Sequence, residues 1–145
     1  MVGAGAAGIA PGRHATETDV ADAAALLSAG SEVVVLTEAD LDTVTALSGS
    51  GPAYFLYLAE AMIAAAEAEG LSHDAALALT AATCRGTGKL MAESDLSPSE
   101  LRARVTSKGG TTEAALSVLD GGGVSEIIRK AIRAVTERSR TLGKG

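Results

Sequence analysis

Hydrophobic and polar positions along the chain change their rhythm near residue 40. Residues 2–10 are small and apolar and end at Pro11-Gly12, which predicts a short strand or extended segment. Thr16-Glu17-Thr18-Asp19 places a hydroxyl cap ahead of first-turn acids, so a helix is expected from there to about Ser28, stopped by Gly30. The β-branched run Val33-Val34-Val35-Leu36, bounded by Glu32 and Thr37, predicts a second strand. Two strands are too few for an independent sheet, so this strand–helix–strand piece reads as the end of a larger unit.

From Asp40 onward the strand signals stop. Ser48-Gly49-Ser50-Gly51-Pro52 is expected to be a turn into a helix over 52–69, with Ser50 as its cap and Pro52 in the first turn. Only Glu60, Glu67 and Glu69 interrupt the apolar surface of that helix, and Gly70 ends it. Ser72 caps a second long helix, 73–93, rich in Ala and Leu. Ser97-Pro98-Ser99-Glu100 combines a cap, a first-turn proline and a reciprocal glutamate, and starts a short helix to about Arg104. Residues 105–111 form a loop, and a helix follows from about Thr112 to Asp120, ended by Gly121-Gly122-Gly123. A final helix covers about 124–142. Helices without a broad polar face are buried on most sides, and 145 residues cannot bury two of them. A homo-oligomer in which helices of two chains pack together is therefore expected.

Composition sharpens this picture. Thirty residues are alanine, while the only aromatic residues, Tyr54, Phe55 and Tyr57, fall within four positions. Alanine favours helices and lets their backbones approach. Acids outnumber bases 18 to 12 and the formal net charge is −6, the opposite of a nucleic-acid-binding balance. One cysteine, Cys84, excludes an internal disulfide, and with only His14 and His73 beside it no His/Cys metal cluster can form. Cys84 lies among apolar residues in mid-helix and is expected to be buried. The first residues lack a secretory signal pattern and no apolar run has transmembrane length. The expectation is a soluble cytoplasmic protein with no membrane and no nucleic-acid partner.

Two glycine-rich segments are the candidates for chemistry. Gly3-Ala4-Gly5-Ala6-Ala7-Gly8 matches the spacing G-x-G-x-x-G, but a dinucleotide fingerprint needs a strand before the glycines and a helix opening among them. Only Met1 and Val2 precede it and Pro11-Gly12 follows, so it is read as a glycine-rich strand. Val105-Thr106-Ser107-Lys108-Gly109-Gly110-Thr111-Thr112 is more informative. Its glycines permit unusual backbone angles, and its hydroxyls and ammonium gather where a helix opens with unpaired amides, a setting suited to a carboxylate or phosphate. The same residues also fit an ordinary interhelical turn with a threonine cap. The basic residues Arg129, Lys130, Arg133, Arg138 and Arg140 fit a solvated helix face or a complement to the helix dipole.

Taken in order, Ala46-Leu47-Ser48-Gly49-Ser50-Gly51-Pro52-Ala53-Tyr54 and Val105 to Thr112 resemble the two signature stretches of pyrroline-5-carboxylate reductase. Val2-Gly3-Ala4-Gly5-Ala6 and Glu32-Val33-Val34-Val35 are similar to the last strands of that family's nucleotide-binding domain, and Ser139-Arg140-Thr141-Leu142 to its ending. The resemblance implies a mainly α fold: an α-helical dimerisation bundle, residues 41–145, preceded by a strand–helix–strand remnant of a Rossmann domain, residues 1–40. It implies hydride transfer from NADPH or NADH to the cyclic imine of 1-pyrroline-5-carboxylate, giving L-proline, in a dimer or a ring of dimers. It assigns the substrate carboxylate to Ser107 and the backbone of Gly109, Gly110 and Thr111. Thr112 takes the catalytic role of hydrogen-bonding the ring nitrogen, and Asp95 falls near an acidic position that approaches substrate.

Two departures qualify the resemblance. Lys108 stands where the family usually has proline, which loosens the loop while adding a positive charge near the carboxylate. Most of the cofactor domain is also missing, as expected of a truncated chain, a split gene product or an isolated domain, so weak nicotinamide binding is expected of the chain alone. A non-catalytic oligomerisation module derived from the same family is the principal alternative. A small-acid-binding regulator is a weaker one, since no output element is visible.

Overall fold

The computed structural model describes residues 3–143. Its contacts divide the chain into two compact units, Met1–Ala53 with Ile128–Gly145, and Tyr54–Ile127.

The first unit opens with β1 (Gly5–Ile9), α1 (Glu17–Leu27) and β2 (Ser31–Val35). The strands pair in parallel, from Gly5 opposite Ser31 to Ile9 opposite Val35, and the Leu36 amide extends the ladder to the Ile9 carbonyl at 2.8 Å. The expected strand–helix–strand is present, with β1 shorter than predicted and β2 starting two residues earlier; Val2 lies outside the described residues. The start of α1 is fixed by a reciprocal cap: the Asp19 amide donates to Thr16 Oγ1 at 3.2 Å, and the Thr16 amide donates to Asp19 Oδ2 at 2.7 Å. The Thr16 hydroxyl, and then its amide, hold the Asp19 carboxyl below its ordinary pKa. Thr37 and Asp40 repeat the device ahead of a 3₁₀ turn, Glu38–Asp40, with the same effect on Asp40.

The glycines of β1 are packing residues. A Cβ on Gly8 would meet Val44 Cγ1 at 2.7 Å, and one on Gly5 would collide with the Ser31 side chain on β2. Their absence lets α2 (Leu41–Val44) and β2 approach the first strand. A cavity of about 450 Å³ remains on this side of the sheet, lined by residues that include Ala7, Val34, Leu36, Val44 and Leu47.

Residues 48–52 depart from the expected turn. The backbone stays helical through a π segment, Thr45–Gly49, and into α3 (Gly51–Ala68), with Ser50 at φ −88°, ψ −16° rather than in an extended cap conformation. The Ser50 amide reaches back five residues to the Thr45 carbonyl at 2.9 Å, and Ser48 Oγ donates to the Val44 carbonyl at 3.1 Å. One extra residue is thus absorbed as a π bulge, a distortion that serine and glycine accommodate. In the same unit, Arg140 Nε lies 3.8 Å from Asp42 Oδ2, so one member of the C-terminal basic series has a specific partner.

The second unit is helical: most of α3, then α4 (His73–Glu93), α5 (Pro98–Arg104), α6 (Thr111–Gly121) and the first turn of α7 (Val124–Leu142). Punctuation follows the sequence. Gly70 at φ +100° ends α3, Ser72 Oγ accepts from the Ala75 amide at 3.3 Å, and Ser97 and Glu100 cap α5 reciprocally with Pro98 behind them. The Ser97 hydroxyl, followed by its amide, lowers the pKa of Glu100. His73 Nδ1 meets Glu67 Oε1 at 3.0 Å across the α3–α4 turn.

Neither unit has a substantial core. Among the described residues the buried hydrophobic side chains are Ala46 and Ala76, and no large side chain is fully buried. Phe55, Leu56, Tyr57 and Leu58 on α3 are all more than half exposed. The accessible surface is 11086 Å², whereas a folded monomer of this mass exposes about 6,800 Å². Cys84, expected inside, is exposed for the same reason: the single chain places nothing over that part of α4. Among the described residues no helix is long and apolar enough to cross a membrane.

Candidate functional site

The 105–112 segment leaves α5 through two tight bonds, from the Thr106 amide to the Ala103 carbonyl at 3.2 Å and from Thr106 Oγ1 to the Arg102 carbonyl at 2.7 Å. A turn follows in which the Gly110 amide donates to the Ser107 carbonyl at 3.0 Å. Gly109 occupies the left-handed region at φ +72°, which a side chain would strain. Gly110 folds directly over Ser107: a Cβ there would collide with Ser107 Oγ and lie 3.0 Å from its carbonyl. Each glycine is therefore required by a different steric demand.

Gly110, not a threonine, is the N-cap of α6, at φ −87°, ψ 172°. Glycine has no side chain to offer, and no side chain caps the first turn. The ordinary turn with a threonine cap is therefore not what forms. The helix begins one residue earlier than predicted, and its first amides, at Thr111 and Thr112, lack the hydroxyl partner that Thr16, Ser72 and Ser97 supply elsewhere. An uncapped helix start carries about half a positive charge and attracts carboxylates. The Gly109 amide is engaged within the chain, donating to Glu113 Oε2 at 2.7 Å.

Ser107, Gly109, Gly110, Thr111 and Thr112 thus come together around one turn and one helix start, with Thr112 half-buried and Ser107, Lys108 and Thr111 exposed. Asp95 lies in the separate α4–α5 connection and is exposed, and among the described residues no hydrogen bond or ion pair ties it to this turn. A cavity of about 260 Å³ between α4 and α5 is lined by residues that include Leu90, Met91, Leu101, Arg102 and Val105, and none of the residues from Ser107 to Thr112 lines it. Sequence reading missed Glu113; its position three residues into α6, facing back over a glycine turn, was the available signal. Among the described residues no group of His, Cys, Asp and Glu could hold a metal ion.

The first glycine motif fits no dinucleotide. Gly5 and Gly8 lie within or against a strand whose next residues, Ala10 to Ala15, are not helical, so no helix N-terminus is presented to a pyrophosphate.

The class these features define is a predominantly helical domain with a two-stranded parallel remnant, apolar helix faces that the single chain leaves uncovered and one uncapped, glycine-shaped helix start. The family model described as pyrroline-5-carboxylate reductase dimerisation matches residues 38–142, and the chain belongs to that family. Pyrroline-5-carboxylate reductases from Mycobacterium tuberculosis H37Rv and Methanosarcina acetivorans are each 40% identical to it, over 98% and 96% of this chain. The matches span 54% and 52% of those proteins, so the chain covers about half the length of the relatives. Among solved structures, a pyrroline-5-carboxylate reductase from Coxiella burnetii matches with a TM-score of 0.94 and 37% identity, covering 97% of this chain and 53% of that one. The Plasmodium falciparum pyrroline carboxylate reductase, solved with NADP bound, matches with a TM-score of 0.83 and 27% identity, over 91% of this chain and 53% of that one.

Proposed function

We propose that the chain is the substrate-binding and dimer-forming part of a pyrroline-5-carboxylate reductase, which converts 1-pyrroline-5-carboxylate to L-proline in the cytoplasm. The observation that carries this reading is the uncapped start of α6, shaped by Gly109 and Gly110, in a chain of this family. Ser107 and the Gly109–Thr111 backbone surround the substrate carboxylate, with the donors narrowed to the α6 start and the Ser107 hydroxyl, since the Gly109 and Gly110 amides are already engaged. Thr112 donates its hydroxyl to the ring nitrogen and steadies charge there as the imine carbon is reduced. Asp95 approaches the ligand from the α4–α5 connection.

In this reading residues 1–40 are the tail of a nucleotide-binding domain and 41–145 the helical domain. A nicotinamide, NADPH or NADH, supplies the hydride in the whole reaction. The described residues of this chain form no cradle for its pyrophosphate, so the chain contributes substrate binding and orientation. A second copy covers the α3 and α4 faces that the single chain leaves open, as support from the dimerisation family and the excess surface suggests, and a ring of such dimers is the expected larger form.

The test is an NMR titration of the 145-residue chain with L-proline. Saturable shifts at Ser107, Thr111 and Thr112, lost in Thr112→Val, are expected; a chain with no response at these residues overturns the reading. Sedimentation at micromolar concentration gives at least twice the chain mass if the second copy is bound, and a monomer overturns that part. Adding the nucleotide-binding half of a relative, NADPH and the imine then asks whether turnover appears.

A further inference from the structure

We propose that Glu113 is the positioning residue of the carboxylate cradle: it holds the Gly109 peptide so that the amides opening α6 are left for the ligand. The inference rests on the substrate reading above. Glu113 is the third residue of α6, and its Oε2 accepts from the Gly109 amide at 2.7 Å, the short distance of a charge-assisted bond. Gly109 is the one residue of the turn at positive φ, +72°. A glycine there loses more conformational freedom on ordering than any other residue, so something must hold it. Around it, the Gly110 amide turns back to the Ser107 carbonyl and α6 opens without a side-chain cap.

The caps of α1, the 3₁₀ turn and α5 use the same chemistry differently. There the acid at the third position bonds the amide of the cap residue itself, and in α1 and α5 the cap hydroxyl accepts a bond from the helix in return. In α6 the acid reaches one residue further back, to Gly109, and the cap residue is a glycine that returns nothing. The result is a fixed turn beside an open helix start, where the other helices have a closed one. Because residues 109 and 113 are four apart, the device is complete within one chain.

The experiment compares Glu113→Ala, Glu113→Asp and Glu113→Gln with wild type in the full chain, reading Gly109 amide exchange without ligand and L-proline affinity by NMR. Aspartate keeps the charge near the helix start but is one methylene short of Gly109, which separates positioning from a general electrostatic effect. Glu113→Ala and Glu113→Asp are expected to speed Gly109 exchange and weaken proline binding, each about tenfold, while Glu113→Gln retains both within about threefold. Unchanged Gly109 exchange in Glu113→Ala and Glu113→Asp, or wild-type proline affinity in either, overturns the proposal. A wild-type chain that ignores proline, with Gly109 exchange still governed by Glu113, upholds the positioning role and overturns the substrate reading instead.

Discussion

The molecule carries two glycine-rich segments, and they use glycine for opposite purposes. In β1, Gly5 and Gly8 are where neighbouring side chains fill the space a Cβ would need: Ser31 on β2 and Val44 on α2. The glycines there bring protein against protein at those two contacts. In the α5–α6 turn, Gly109 has no atom within 4 Å of its missing Cβ; it is glycine because its φ is +72°. The first segment matches a well-known ligand-binding spacing and packs a strand. The second has no such spacing and leaves a helix start uncapped. What distinguishes them is the element that follows: a non-helical stretch after Gly8, and α6 directly after Gly110. A glycine motif therefore speaks of ligands only when a helix N-terminus stands behind it.

The largest effect that would test this contrast is expected from Gly8→Val. Its Cβ would start 2.7 Å from Val44 Cγ1, so overpacking should lower stability by about 3 kcal/mol. Denaturant unfolding measures the loss, and proline affinity per folded molecule should not change; a ligand effect from Gly8 would break the comparison. Gly109→Ala comes next. The left-handed backbone costs an alanine about 1–2 kcal/mol, and because the strain sits in the turn it should appear mainly as weaker proline binding in a titration. Equal losses of stability and affinity at both glycines would mean that the two segments are not different in kind.

A smaller change is expected at a helix start that is capped. Ser72→Ala removes the acceptor of the Ala75 amide and should cost about 1 kcal/mol in thermal unfolding without altering the ligand response. The smallest effect concerns pH. Asp19, Asp40 and Glu100 have pKa values lowered in the folded chain, chiefly by the hydroxyls of Thr16, Thr37 and Ser97. Their contribution is present above the unfolded carboxylate pKa and disappears as pH falls through the lowered folded values. These three groups should therefore leave the melting temperature unchanged until the pH falls below about 4.5, and lower it from there. Glu100→Gln should make the acid-side decline slightly shallower in a series of thermal melts.

Legibility in the sequence followed the range of the interactions. Helix limits around Thr16, Gly70, Ser72, Ser97-Pro98 and Gly123 were readable because caps and glycine stops act within four residues. The turn between α5 and α6 was readable because its glycines and hydroxyls are contiguous, although its cap was not: Gly110 rather than a threonine opens the helix. Ser48 to Pro52 misled: its residues are those of a turn, yet the chain absorbs them in a π segment closed by the Ser50 amide on Thr45. Cys84 misled in the other direction, because an apolar neighbourhood in sequence says nothing about what covers it.

By itself, then, the sequence determined the helices and most of their ends, since those depend on local backbone hydrogen bonds and on residue type. Tertiary structure alone decided that Gly8 packs on Val44 and Gly5 on Ser31, and that Cys84 is left uncovered. Those outcomes turn on which side chain occupies a few ångströms of space, a quantity that residue order does not carry until the chain has folded around it.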